Sequence, residues 1–219
     1  MRTGLTLYGA RGSGAVPVEA ALTLLELPYT LIDAYTWDHD DPAGGDQVLK
    51  ANPLRQVPAL ALPSGETITE SAAILTWLAE TYPKGRLAPA PGDPKRAQFL
   101  RWMSFVSSAI YSLYWVKDDP SRLVPDPAGH AALDERVLSR ISDCWGIMDS
   151  QVTPGRYILG DELTVLDLYV AAVTRFRPRR KRFYEVAPKM GDVVRRVDID
   201  PRLHGLWKDR MGFQEGWEG

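Results

Sequence analysis

Cysteine is nearly absent from this chain, with Cys144 the only one. That excludes an internal disulfide framework and a Cys-x-x-Cys redox pair, and it fits a reducing compartment. Long apolar runs are missing too; nothing approaches the roughly 18 apolar residues that a membrane-spanning helix needs. The first residues lack the basic start, apolar middle and small-residue cleavage site of a secretory leader. No excess of one charge exists either: 26 Lys and Arg against 28 Asp and Glu leave a net charge of −2, with no global pull toward nucleic acid or anionic membrane. These absences lead to the expectation of a cytoplasmic protein with no nucleic-acid and no membrane partner. Metal-ligand spacing is also wanting. Asp38-His39-Asp40-Asp41 offers only adjacent residues, which rarely converge on one ion, so no metal is expected. Cys144 sits beside Trp145 in a helical pattern and reads as a buried, inert thiol.

What is present is an ordinary globular mixture, 45% hydrophobic and 25% charged over 219 residues, enough for one large domain or two small ones. The first third alternates short strands with helices. Leu5–Tyr8 reads as a strand, Gly9–Gly14 as a loop, and a helix follows from about Val16 to Glu26, with Pro17 suited to its first turn. Tyr29–Ile32 is the next strand, so a right-handed parallel crossover is expected. A polar segment over Asp38–Asp46 leads to a weak helix around Gln47–Ala51. Ala59–Leu62 and Thr67–Thr69 then form a hairpin around Pro63-Ser64-Gly65-Glu66, whose Pro and Gly suit a β-turn. Glu70-Ser71 opens a helix in which Ile74, Leu75, Leu78 and Tyr82 recur at helical spacing.

Prolines at 83, 89 and 91 punctuate a linker, expected over residues 84–93. Beyond it strand signals almost vanish. Helical patterns cover about Pro94–Lys117, Ala128–Gln151, Val165–Thr174, Gly191–Val197 and Pro201–Arg210. Leu163-Thr164-Val165-Leu166-Asp167-Leu168 reads as a capping box with a hydrophobic staple. Arg175–Arg182, six basic residues in eight, reads as a solvated charged face. The expected organisation is an α/β domain over residues 1–83, the linker, and an all-helical domain over 94–219.

The stretch Asn52-Pro53-Leu54-Arg55-Gln56-Val57-Pro58 carries the most information. Pro58 lacks the N–H of a mid-strand residue. It opens an edge strand in the common trans form or marks a cis bond, which about one X–Pro bond in twenty adopts in folded proteins. Gln56-Val57-Pro58, the hairpin and Glu70-Ser71-Ala72-Ala73-Ile74 together resemble the glutathione-binding half of the cytosolic, bacterial-type glutathione S-transferases. The resemblance spans most of the chain and is most specific before the linker. It implies a thioredoxin-like N-terminal domain and a helical C-terminal domain that lines the electrophile site. It also implies a cis Pro58, with the Val57 backbone turned toward the cysteine of glutathione. Gln56 is expected to meet its glycine end, with a solvated side chain as the alternative. Glu70 and Ser71 would hold the γ-glutamyl end. Outside the resemblance, the same acidic-hydroxyl pair is ordinary helix-capping chemistry.

Conjugation needs a thiolate from a thiol whose free pKa is about 8.5. A hydroxyl donor, a helix N-terminus or a cation stabilises that anion. Ser13 lies just before the first helix and is the expected catalytic donor; Arg11, a backbone amide or Tyr111 are alternatives, and a helix cap is the plain reading of the serine. Ala10 and Gly14 stand where other members carry Ser and Cys, and Tyr111 where some carry His. Ser104, Ser107, Ser108, Tyr111 and Trp115 share one helical face; of these, Ser104, Ser108, Tyr111 and Trp115 are the expected electrophile pocket, with core packing as the competing explanation. The expected function is therefore a glutathione transferase that adds glutathione, as co-substrate rather than cofactor, to a small apolar electrophile or uses it in a related thiol reaction. A homodimer is expected from the resemblance alone. The alternative is a non-catalytic module of the same fold that binds a ligand or protein. A glutaredoxin-type reductase is disfavoured, because no cysteine precedes residue 144.

Overall fold

The computed structural model describes residues 4–36 and 42–213. The segment Asp38-His39-Asp40-Asp41 lies outside the described residues. Four strands form one mixed sheet in the order β2-β1-β3-β4. Strands β1 (Leu5–Gly9) and β2 (Tyr29–Asp33) run parallel around helix α1 (Val16–Leu24), while β3 (Ala59–Ala61) lies antiparallel to β1 and to β4 (Thr67–Thr69). Period-two alternation divides the sheet into two faces. Leu7 and Leu60, paired across the strands, are fully buried with Leu22 of α1 and with Ile74, Leu75 and Leu78 of α3 (Ser71–Thr81). Tyr8, Ala59 and Ala61 face the other way, onto Ala34 and Val48. Each such fully buried Leu or Ile contributes roughly 1.5–3 kcal/mol. The sheet and its helices are the thioredoxin-like part that the sequence implies.

Two early boundaries differ from expectation. Helix α1 stops at Leu24, because Glu26 takes a φ of 52°. Helix α2 covers Pro42–Leu49, starting five residues before the expected turn; its Gly44-Gly45 pair has low helix propensity, which hides it from a periodicity count.

The rest of the chain is helical. One long helical stretch comprises α4 (Arg96–Phe105), a π-turn over Val106–Ile110, a 3-10 turn over Tyr111–Leu113, and α5 (Tyr114–Asp118). Helix α6 spans His130–Gln151, α7 Val165–Val173, α8 Arg179–Val186, α9 Pro188–Asp198 and α10 His204–Met211. All nine residues of α7 are buried, as expected of a helix surrounded by others; it touches α1, α3, α4 and α9. The capping box forms as read. Asp167 accepts hydrogen bonds from Thr164 N–H (2.8 Å), Thr164 Oγ1 (2.8 Å) and Ile158 N–H (2.8 Å), and Leu163 and Leu168 are buried in one core.

Helix α8 has no counterpart in the sequence reading. The basic run that conceals it divides on folding. Arg175 and Arg180 are buried and share the Asp198 carboxylate, at 2.6 and 3.0 Å, while Lys181 and Arg182 stay exposed. Among the described residues no helix is long and apolar enough to cross a membrane.

Candidate functional site

A cleft of about 1240 Å³ opens between the sheet and the π-turn stretch. On the sheet side it is lined by Ser13, Gln56, Val57, Pro58, Glu70 and Ser71, all six expected there from the sequence. Elements explain their convergence: the β1–α1 loop delivers Ser13, the entry to β3 delivers residues 56–58, and the start of α3 delivers 70–71. The Val57–Pro58 bond is cis. Asn52 fixes this corner, donating to the Gln56 carbonyl (2.8 Å) and accepting from Leu54 N–H (3.0 Å). Asn52 itself lines the cleft and was not selected from sequence, although an Asn-Pro pair is a recognised turn signal.

Glu70 is exposed in the cleft with φ 68° and ψ 116°. A non-glycine residue held there carries roughly 1–3 kcal/mol of backbone strain, and such strain gathers at functional sites. Behind it the first amides of α3 make an anion-attracting helix end. Ser71 is buried and donates its hydroxyl to the Gly14 carbonyl (2.9 Å), so its lone pairs, rather than its proton, are available to a ligand.

Ser13 lines the cleft, but its hydroxyl is engaged. It donates to the Ala10 carbonyl (2.7 Å) and accepts from the amides of Ala15 (3.1 Å) and Ala10 (3.4 Å). These bonds fold the loop in the manner of a side-chain turn. The loop is also held from the far end of the chain. Gly12, at φ 66°, donates its N–H to the Arg210 carbonyl (2.8 Å), and Arg11 donates to the Asp209 carbonyl (2.6 Å). Arg210 in turn grips Asp33 (2.9 and 3.0 Å) and Glu19 (3.1 Å). Burial pushes the Glu19 carboxyl up, against the lowering effect of Arg210.

The other wall departs from expectation. Ser108, Tyr111 and Trp115 line the cleft, as do Ser107 and Ser112, whereas Ser104 is exposed outside it. The π-turn at Val106–Ile110 is the reason: it widens the helix by one residue and breaks the 3.6-residue face on which Ser104 was placed. Tyr111 is the residue most affected. It stacks on Phe176 (5.7 Å between centroids, 12° between planes) and meets Tyr114 and Tyr169 at 6.0 Å. Its hydroxyl reaches Gly14. A Cβ placed on Gly14 would collide with Tyr111 Oη and stand 2.7 Å from Ser71 Oγ. Only glycine therefore fits at 14 while Tyr111 holds this position. Burial pushes the Tyr111 phenol well above its ordinary pKa, with the Gly14 backbone pulling the other way, so it remains a protonated donor at neutral pH. Cys144 is buried, as expected.

Comparison with known proteins decides the family. Residues 15–81 match the model of the glutathione S-transferase N-terminal domain. The uncharacterized GST-like protein YncG of Escherichia coli K12 is 30% identical over 204 residues, 93% of this chain and 97% of that protein. The chain belongs to the glutathione S-transferase family. A glutathione transferase homolog from Sulfitobacter, solved with bound glutathione, superposes with a TM-score of 0.81 at 24% identity, covering 96% of this chain and all of that one. A sphingomonad glutathione S-transferase, complexed with glutathione, gives 0.76 at 22% identity over 94% and 98%. Both show the shared fold of this family member: a thioredoxin-like sheet domain followed by helices.

Proposed function

We propose that this family member binds glutathione in the sheet half of the cleft, stabilises its thiolate, and adds it to a small electrophile held by the helical half. In this reading the Val57 backbone meets the cysteine of glutathione and Gln56 its glycine end. The γ-glutamyl ammonium meets Glu70, and its carboxylate meets the α3 amides beside Ser71. The division of labour falls at residues 84–93, and the working form is a homodimer, as the resemblance implies. No cofactor beyond glutathione as co-substrate enters the reading.

The observation that carries it is the Tyr111 hydroxyl against Gly14. In the β1–α1 loop the Ser13 proton is given to Ala10, and Arg11 is held on Asp209. A half-buried phenol instead reaches the same point from the helical side, next to the N-terminus of α1. That helix end adds its own partial positive charge. We therefore assign thiolate stabilisation to Tyr111 and loop architecture to Ser13, replacing Ser13 as the expected donor. A binding module would have no need of a phenol donor at the start of α1, so this contact favours the enzyme over the non-catalytic alternative.

Conjugation rate against pH at saturating glutathione tests the assignment. A hydrogen bond to a charged group is worth about 1.5–3 kcal/mol. Tyr111→Phe is expected to slow conjugation roughly ten- to a hundredfold below the thiol pKa, with recovery as pH rises. Ser13→Ala is expected to leave the shape of the profile alone. The opposite pattern would return the role to Ser13, and no turnover in the wild type would favour a binding module.

A further inference from the structure

We propose that the helical wall of the cleft carries an anion subsite centred on Arg177, flanked by Arg179, and that the electrophile is a flat molecule bearing a carboxylate. This rests on the transferase reading of the cleft and narrows its substrate class.

The wall carries charges beside its aromatic rings, and most of those charges are paired. Lys117 pairs with Asp118 (3.4 Å), Arg122 with Asp119 (3.4 Å), and Arg11 with Asp209 (2.9 Å). Arg175 and Arg210 are buried on Asp198, and on Glu19 and Asp33. Arg177 differs. It lines the cleft, is exposed, and among the described residues no carboxylate pairs with it. A cation in a cleft without a counterion attracts one.

The turn that presents Arg177 is fixed rather than loose. Tyr114 Oη donates to the Arg177 carbonyl (2.7 Å), and Arg179 N–H donates to the Phe176 carbonyl (2.7 Å). Phe176 is stacked on Tyr111, the proposed thiolate donor. Arg179 also lines the cleft and takes φ 73°, so two of the five described non-glycine residues with positive φ, Glu70 and Arg179, line one cavity. The α8 N-terminus adds a partial positive charge at the same place. The same cleft holds aromatic surfaces, Phe176 and the 46%-exposed Trp115, over whose ring the Arg122 guanidinium sits at 5.1 Å. An exposed indole in a cleft suits a flat ligand, and a guanidinium suits a carboxylate, which it can hold through two parallel bonds. The two together select a planar acid with its reactive carbon toward Tyr111.

The probes are a chloro-dinitrobenzoate and the chloro-dinitrobenzene that lacks its carboxylate. In either reaction the sulfur lone pair forms the carbon–sulfur bond at the chlorinated carbon. Chloride leaves with the carbon–chlorine pair, and the thiol proton goes to solvent. A charge-assisted contact is expected to make the ratio of the two kcat/KM values about ten- to a hundredfold in favour of the benzoate. The preference should appear in KM and should shrink as salt is added. Arg177→Gln should bring the ratio down toward one, and the Arg177→Gln, Arg179→Gln pair should bring it further. A wild-type ratio of one or less, or a preference that survives both substitutions, overturns the proposal. Calorimetric binding of dinitrobenzoate and dinitrobenzene, which carry no leaving group, is measured without glutathione. It reads the same preference even if the protein never uses glutathione, so failure of the subsite and failure of the transferase reading remain distinct.

Discussion

At the scale of single residues, the cleft is assembled from side chains whose local partners decide what each one can still do. Glu70 keeps an exposed carboxylate in the cleft at a strained backbone position, which suits an ammonium ligand. If it holds the γ-glutamyl amine, Glu70→Ala removes a contact worth about 1.5–3 kcal/mol and should weaken glutathione binding roughly ten- to a hundredfold by calorimetry. An unchanged affinity in a folded variant would refute that placement. Legibility at this scale follows locality. Gln56, Val57, Pro58, Glu70 and Ser71 reach the cleft as read, because two short motifs close in sequence deliver them. Ser13 was legible as a loop serine but not as one whose proton is already given away. That depends on where the Ala10 carbonyl points. The place of Tyr111 against Gly14 depends on contacts almost a hundred residues apart, so no local pattern contains it.

At the scale of elements, strong local signals were readable and register changes were not. The capping box at Thr164 and Asp167 is written in adjacent residues, and its reciprocal pair of bonds forms as spacing implies, whereas the bond from Ile158 is tertiary. The π-turn at Val106–Ile110 has no such signature. It arises where Ile110 and Val106 are both buried while Tyr111 turns to Phe176, and it removed Ser104 from the pocket. Helix α8 escaped notice because four of its eight residues are basic; the burial of Arg180 and Phe183 that secures it is tertiary.

The capping box also makes a pH-dependent prediction. Burial lifts the Asp167 carboxyl from 3.8 to about 6, against hydrogen bonds from Ile158 and Thr164 that lower it. The folded pKa lies above the unfolded one, so between those values the native state holds more protons. This group's contribution to stability therefore falls as pH rises through that window. Asp167→Asn removes the titration and turns an N–H donor toward amides that need an acceptor, at a cost of about 1–3 kcal/mol. In urea unfolding, its deficit relative to wild type should be larger at the acid end of the window than at neutrality. A deficit independent of pH would show that Asp167 does not titrate there.

At the scale of the whole molecule, the two halves meet at the cleft and are joined by elements distant in sequence. Helix α10 reaches back to the β1–α1 loop through Arg210, Asp209 and Gly12, and the α4–α5 stretch supplies Tyr111 to the same loop. The sheet half was legible because its motifs recur in a fixed order. The helical wall was not, since its charge emerges only when folding separates the paired arginines from Arg177. The claim that unites these scales is that the assembled cleft holds glutathione as a thiolate with help from Tyr111. Its most direct test is the ultraviolet absorbance of the bound glutathione thiolate, followed as pH is raised in wild type and in Tyr111→Phe. The wild-type thiol pKa is expected below the value of about 8.5 for a free thiol, rising by roughly one to two units in the variant. A bound thiol that titrates at or above the free value, or identically in both proteins, would contradict it.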